Sequence, residues 1–275
     1  MPKTSLLSQL RKRGKGSMFS QLKWAIGDTL VITKRNILRY AANIQLIFFA
    51  TIQPVIFLSL FNFVFGGNLS GSLPRGYEYI MLLLPGILVQ TVFFSGVNTG
   101  IGLAEDINLG VIDRFRSLPM SRIAVVAGRI FADAIRSLFV TLLLIIVGYL
   151  YGFRFENGFS GAIGLFVLST LLTFSFSWFT ALIGISNKNP ETTQVIGFMI
   201  IFPLTFASSI FAPITGMPGW LQAFARNQPV THAAEAFRYL SIGLGDSISI
   251  WKTLAWIVVI TVIFAPLSIR AYKKS

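Results

Sequence analysis

The chain has 275 residues, 54% of them hydrophobic and only 12% charged, with a mean hydropathy of +0.71; soluble domains carry about 25% charged residues, so most of this surface is expected to face lipid. The formal net charge is +13, yet nine of the 23 basic residues crowd into residues 1–40 against one acid, Asp28, which is not how a folded nucleic-acid-binding surface distributes charge. With no cysteine and a single histidine, His232, the chain lacks the means for disulfides, thiolate or multi-histidine metal sites and cysteine nucleophiles, and no metal site is expected.

Residues 1–17 read as a disordered basic tail. Between residues 18 and 43, Leu22, Ile26, Leu30 (or Thr29), Thr33 and Ile37 recur at helical spacing, while Lys23, Lys34 and Arg35 fall elsewhere. This pattern predicts an amphipathic helix on the cytoplasmic surface, its basic face near anionic headgroups and Trp24 at the interface; a solvated basic segment is the alternative. Polar and amphipathic residues precede the first apolar run, so the leader is expected to be retained rather than cleaved as a signal peptide.

Six continuously apolar segments follow, at 44–66, 79–103, 123–151, 160–186, 192–212 and 250–270. Crossing the ~30 Å hydrocarbon layer takes about 20 apolar residues in a helix, and continuous rather than alternating apolarity argues against barrel strands. The expected fold is all-α: a six-span membrane domain over 44–272. With the N-terminus inside, sixteen basic residues lie on the cytoplasmic side and five outside, leaving Arg129 and Arg136 uncounted within the third span; both termini are therefore expected in the cytoplasm.

Between the second and third spans, Ile107, Val111, Phe115 and Leu118 form one stripe of a helix. Glu105, Asp106, Asp113, Arg114 and Arg116 stay off it, and Pro119 ends the helix. A short amphipathic helix over 103–119 can lie in the groove of a soluble partner or simply rest on the bilayer as a linker.

Within the third span, Arg129, Asp133 and Arg136 fall within about 60° of one another at ~100° per residue. Ionisable residues inside spans face the bundle and pair, so Asp133 is expected to bridge the two arginines near the cytoplasmic side, substrate contact being the minority reading. Ser169, Thr173, Ser177, Thr180 and Gly184 stripe the fourth span, which suits close helix packing and a polar pathway equally. Gln53, Asn62, Gln90 and Asn98 are the amides of the first two spans, Pro54, Pro85 and Pro203 are candidate kinks, and 26 phenylalanines supply aromatic walls or a lipid-facing surface.

Residues 213–245 are too long for a turn and too apolar for a soluble loop. Pro218 and Pro229 can each start a short helix, the second ended by Gly243, with a break at Asn227-Gln228. Such a pair is expected either to dip back into the outer leaflet as a re-entrant gate, with Trp220, Phe224, Gln228 and Pro229 at its working face, or to lie flat outside. Glu235 and Arg238, at i and i+3, are a candidate pair, and His232 reads as a packing residue.

Three patches then resemble a known family. Glu105-Asp106, followed by Gly110-Val111-Ile112-Asp113-Arg114-Phe115-Arg116-Ser117-Leu118-Pro119-Met120-Ser121-Arg122, resembles the coupling-helix signature of ATP-binding-cassette type 2 permeases, most like the daunorubicin-resistance branch of bacterial exporters. Pro213, Met217-Pro218-Gly219-Trp220-Leu221-Gln222 and Asn227-Gln228-Pro229-Val230-Thr231 are similar to that family's outer loop, and Asn189-Pro190-Glu191-Thr192-Thr193-Gln194 to the start of its fifth span. The resemblance implies a permease in the bacterial plasma membrane that exports amphipathic drug-like, lipid-like or polyketide-like molecules. It also implies a second permease subunit, identical or not, and a cytosolic ATPase dimer that binds the ATP and Mg. It makes Glu105, Ile107, Val111, Asp113, Arg114, Phe115, Leu118 and Pro119 the ATPase-coupling residues. This chain has no G-x-x-x-x-G-K-[ST] phosphate loop of its own. An ion-coupled carrier is the alternative, and needs exchangeable acids at mid-membrane, where Asp133 is the one candidate.

Overall fold

The computed structural model describes residues 18–69, 77–112 and 122–274, and among these it is all-helical. The helices are α1 (Met18–Ala42), α2 (Ile44–Leu69), α3 (Tyr79–Asn108), α4 (Arg122–Leu150), α5 (Gly158–Asn187), α6 (Pro190–Phe206), α7 (Gly219–Asn227), α8 (Pro229–Ile242) and α9 (Ile248–Lys274). Five of them, α2, α3, α4, α5 and α9, are long and apolar enough to cross a membrane. The expected fifth span is shorter than its apolar run: α6 has 17 residues, about 25 Å of helix. It stops at Phe206 because Ser208 diverts the backbone, its hydroxyl donating to Thr205 O and accepting from Ile210 N. At the other end Asn189 caps α6, its side chain accepting from the Glu191 and Thr192 amides. The basic tail expected at 1–17 lies outside the described residues.

α3 is the centre of the fold, buried on nearly every side, and packs against α2, α4, α5, α6 and α8. A helix so enclosed needs small residues where its neighbours cross. At the α3–α5 crossing a Cβ on Gly184 would stand 2.1 Å from the Gly100 carbonyl oxygen, and one on Gly100 2.4 Å from that of Thr180. Backbones this close let Thr180 Oγ1 donate to Gly96 O and bring Thr99 and Ser177 hydroxyls to 3.1 Å. Ser137 on α4 meets Thr173 at 3.1 Å on the next face. The polar stripe of the fourth span is buried, with Thr173 meeting α4 and Ser177, Thr180 and Gly184 meeting α3.

α1 packs along α4 at Gly128, whose carbonyl accepts from Thr33 Oγ1 at 3.2 Å and whose missing Cβ makes room for Ile32. Ile32, Thr33 and Asn36 are the buried face, while Ile26 and Leu30 of the expected apolar stripe are exposed. The side facing protein is thus rotated from the most apolar stripe, because contact with Gly128 and the Thr33 hydrogen bond decide it. After α6 the chain runs irregularly through residues 207–213 and a 3-10 turn, Ile214–Gly216, before α7 and α8. α8 is buried through Val230, Ala233, Ala234 and Phe237, and ends at Gly243 with φ +69°, a conformation that favours glycine.

Forcing a leucine into the α3–α5 crossing tests this arrangement. Gly100→Leu should cost at least the ~1–3 kcal/mol typical of overpacked interiors, read as a lower unfolding midpoint of the purified chain. Gly27→Ala, where an added methyl meets nothing, should leave the midpoint unchanged or slightly raised, since alanine favours a helix interior over glycine. A parental midpoint for Gly100→Leu would mean the helices are not in contact there.

Candidate functional site

Asp133 is fully buried on α4 and is contacted from two helices. Its carboxylate accepts from the Tyr40 hydroxyl of α1 and from Arg129 Nε at 3.3 Å, and Arg136 Nε stands 3.5 Å away. The three residues expected to form a triad are therefore in contact, with Asp133 between the arginines. The structure adds partners that spacing along one helix did not reveal. Arg129 reaches across to Asp106 on α3 at 3.2 Å, and Asp106 also receives Arg39 at 3.4 Å and Arg35 at 3.8 Å from α1. Arg39 bridges onward to Glu105 at 3.3 Å. Gly102 leaves room for this reach: a Cβ there would lie 1.7 Å from the Arg129 guanidinium, which would have to move aside.

Four guanidinium groups and three carboxylates are thus interleaved among α1, α3 and α4. Asp106, Arg129, Asp133 and Arg136 are buried, where a lone charge would cost several kcal/mol, and each is held because its neighbours carry the opposite sign; Arg35, Arg39 and Glu105 are partly exposed. Tyr40 stays a protonated donor far above neutral pH, since burial and the adjacent Asp133 charge both raise its pKa. The sequence did carry hints of this network, in Gly102 one turn ahead of Asp106 and in Arg35 and Arg39 at i, i+4 on α1.

Beside the network lies a cavity of about 420 Å³ bounded by α1, α2, α3, α4 and α6. Arg39, Arg129 and Arg136 form one part of its wall, and Phe49, Phe57, Phe94 and Phe198 another. Three of the four amides singled out in the first two spans, Gln53, Gln90 and Asn98, also line it. Asn62 does not; its carbonyl oxygen lies beside Gly66 within α2.

The helix expected over 103–119 begins differently. Residues 103–108 are the last turns of α3, closed by Leu109 N donating to Glu105 O and Gly110 N to Ile107 O. Gly110 is left-handed, φ +67°, so Ile107 and Val111 belong to separate helical segments. Ile107 packs in a cluster with Ile112, Val125, Trp178 and Tyr272. Val111 is half-buried, and Asp113, Arg114, Phe115, Leu118 and Pro119 lie outside the described residues.

On the far side, Trp220 and Phe224 are exposed on α7 at 75% and 47%. Gln228 is buried at the break between α7 and α8 and donates to Ala207 O, and Pro229 opens α8. Arg238 does not hydrogen-bond to Glu235 as the i, i+3 spacing suggested. Its guanidinium donates to the Ser209 and Ile210 carbonyls and to Leu82 O at 3.1 Å, while Glu235 accepts from Ser249. Tyr79 OH donates to Phe211 O at 2.8 Å. Where α6 breaks, its freed carbonyls thus find donors from α3 and α8, as backbone away from water requires.

Removing the central acid isolates the network's weight. Asp133→Ala leaves Arg129 and Arg136 without their shared counter-charge and should destabilise the chain by ~3–5 kcal/mol, read as lower yield and unfolding midpoint, with Asp133→Asn milder. Unchanged stability of Asp133→Ala would mean the arginines are solvated.

Residues 28–241 match the family model described as ABC-2 type transporter. The daunorubicin resistance ABC transporter permease protein of Streptomyces coeruleorubidus is 36% identical over 81% of this chain and 78% of its own length. A probable doxorubicin resistance ABC transporter permease protein of Mycobacterium tuberculosis is 26% identical over 91% of this chain and 90% of its own, and an inner membrane transport permease of Escherichia coli is 25% identical over 78% and 83%. With several apolar helices of spanning length and a family match over most of its length, this chain belongs to the ABC-2 type transporters and is a multi-pass membrane permease.

Proposed function

We propose that the chain is the membrane subunit of a bacterial exporter, moving amphipathic drug-like, lipid-like or polyketide-like molecules out of the cell on the power of a separate ATPase. The observation that carries this reading is the family match over residues 28–241 together with relatives named for daunorubicin and doxorubicin resistance. A cytosolic ATPase dimer binds the ATP and Mg, and a second permease copy completes the membrane part. α6 serves as the fifth of six spans, short because its outer end is carried on by the irregular segment held by Arg238 and Tyr79. Both termini lie in the cytoplasm of a plasma-membrane protein, and α1 runs along its inner interface. The α7–α8 pair caps the outer side, with Trp220, Phe224, Gln228 and Pro229 at the gate. Coupling to the ATPase passes through Glu105, Ile107, Val111, Asp113, Arg114, Phe115, Leu118 and Pro119. The saturation of Asp133 by Tyr40, Arg129 and Arg136 speaks against an ion-coupled carrier, which needs an acid free to exchange its ion.

Topology is tested by single cysteines in a chain that has none. A membrane-impermeant thiol reagent applied to intact cells should label Ser247→Cys and spare Asn187→Cys; labelling of Asn187→Cys would overturn the orientation. Coupling is tested by Phe115→Asp. Loss of an aromatic anchor alone weakens docking by ~2 kcal/mol or more, and an unpaired charge in the partner's groove adds to that. Export and cargo-stimulated ATP hydrolysis should fall together while membrane level stays normal, and Asn108→Ala should do much less. Normal transport by Phe115→Asp would remove the coupling role.

A further inference from the structure

We propose that the cavity beside the charge network binds an anionic amphiphile. Its acidic group sits against Gln90, Arg136 and Arg39, and its aromatic or acyl body among Phe57, Phe94 and Phe198. This inference rests on the reading of the chain as a permease and names the ligand chemistry its cavity selects.

Hydrogen-bond accounting at the cavity wall points to an acceptor. Gln90 Nε2 is buried and has no partner among the described residues, and Arg136 Nε, 3.5 Å from Asp133, makes no hydrogen bond to it. Both are donors, and both belong to residues that line the cavity. A buried donor without a partner is costly, and a ligand oxygen relieves it. Arg136 also donates through Nη2 to Ser95 at 3.3 Å, and Ser95 lines the cavity as Gln90 does.

Charge points the same way. Of the charged residues that line the cavity, Arg39, Arg129 and Arg136 are cations and Glu105 is the one acid. Asp106 and Asp133 are not among the lining residues, so the one carboxylate an ammonium group would meet there is Glu105, which already pairs with Arg39. A carboxylate, phosphate or phenolate meets the unpartnered Gln90 amide and a wall in which three guanidinium groups stand against one carboxylate. The opposite wall is aromatic, and about 420 Å³ falls within the range of small-molecule sites, ~300–1,000 Å³. A fused aromatic acid would fit, as would a phospholipid headgroup with the first part of its chains.

The test uses the full-length chain in phosphatidylcholine nanodiscs, with empty nanodiscs as blank. It measures equilibrium binding of pyrenebutanoic acid, pyrenebutanol and pyrenebutylamine, three probes of one body and different charge. The acid should bind about tenfold tighter than the alcohol, and the amine weakest, as expected for charge-assisted hydrogen bonds. Gln90→Leu removes one donor without adding charge and should weaken the acid several-fold while leaving the alcohol unchanged. Arg136→Gln should do the same, and Gln90→Leu keeps the test decisive if that variant fails to fold. Doping the nanodiscs with phosphatidylglycerol separates the sources. Displacement of the acid supports a lipid-headgroup site, and undiminished binding supports one for a free amphiphile. Equal binding of acid and amine, or an acid affinity untouched by Gln90→Leu, would overturn the proposal. That result combined with loss of export in Phe115→Asp would leave the permease reading standing and remove the anion site alone.

Discussion

The pairing of Asp133 and Asp106 with four arginines is the interaction on which the rest of this structure depends. Away from water a lone charge is costly, and the buried Arg129 and Arg136 both reach the buried Asp133. Arg129 spans from Asp133 on its own helix to Asp106 on α3, and Tyr40, Arg35 and Arg39 bring α1 to the same two acids. A helix that composition alone would leave on the membrane surface is thereby tied to two helices of the membrane domain. The same network ends at Glu105 and Asp106, two turns or less before the segment whose resemblance is to a coupling helix.

The same rule acts at the other end of α6. Once Ser208 draws the backbone out of the helix, the carbonyls of residues 207, 209, 210 and 211 need donors, and Gln228, Arg238 and Tyr79 provide them. Arg238 is a cation used as a multiple hydrogen-bond donor, with its charge spread over backbone dipoles. Gly86 on α3 completes the arrangement, since a Cβ there would stand 2.7 Å from the Ile210 carbonyl. The outer segment is therefore built into the protein through α8, while α7 carries Trp220 and Phe224 on an open face.

Between these two ends, α3 divides its length by function. Its glycines take the closest crossings, with Gly96 and Gly100 against α5 and Gly102 against Arg129. Its polar residues Gln90, Ser95 and Asn98 face the cavity. α2, by contrast, is apolar and mostly exposed, contributing Phe49, Gln53 and Phe57 to the cavity from an otherwise open face. A cavity with one wall of arginine and amide and another of phenylalanine is what an amphiphile requires of a protein that must also release it.

Much of this was legible in the residues themselves. Charge depletion and continuous apolar runs dictate membrane helices, because only the helix satisfies its own backbone in lipid without a closed sheet. The spacing of Arg129, Asp133 and Arg136 was enough to place them together, because a helix carries its own geometry from one turn to the next. Family membership was legible too, in the three patches around residues 105–122, 189–194 and 213–231. Whatever depended on a second helix was decided only by the tertiary structure. Asp106 read as a charge on the polar side of a helix over 103–119 until α3 ran on to Asn108 and set it opposite Arg129. Glu235 and Arg238 had pairing spacing, yet broken backbone at residues 207–211 offered Arg238 better acceptors. The most apolar stripe of α1 faces outward because Gly128 and the Thr33 hydroxyl, not hydrophobicity, choose its contact face. Local spacing determines what one helix can present; which of those groups are buried, and against what partner, is settled only where helices cross.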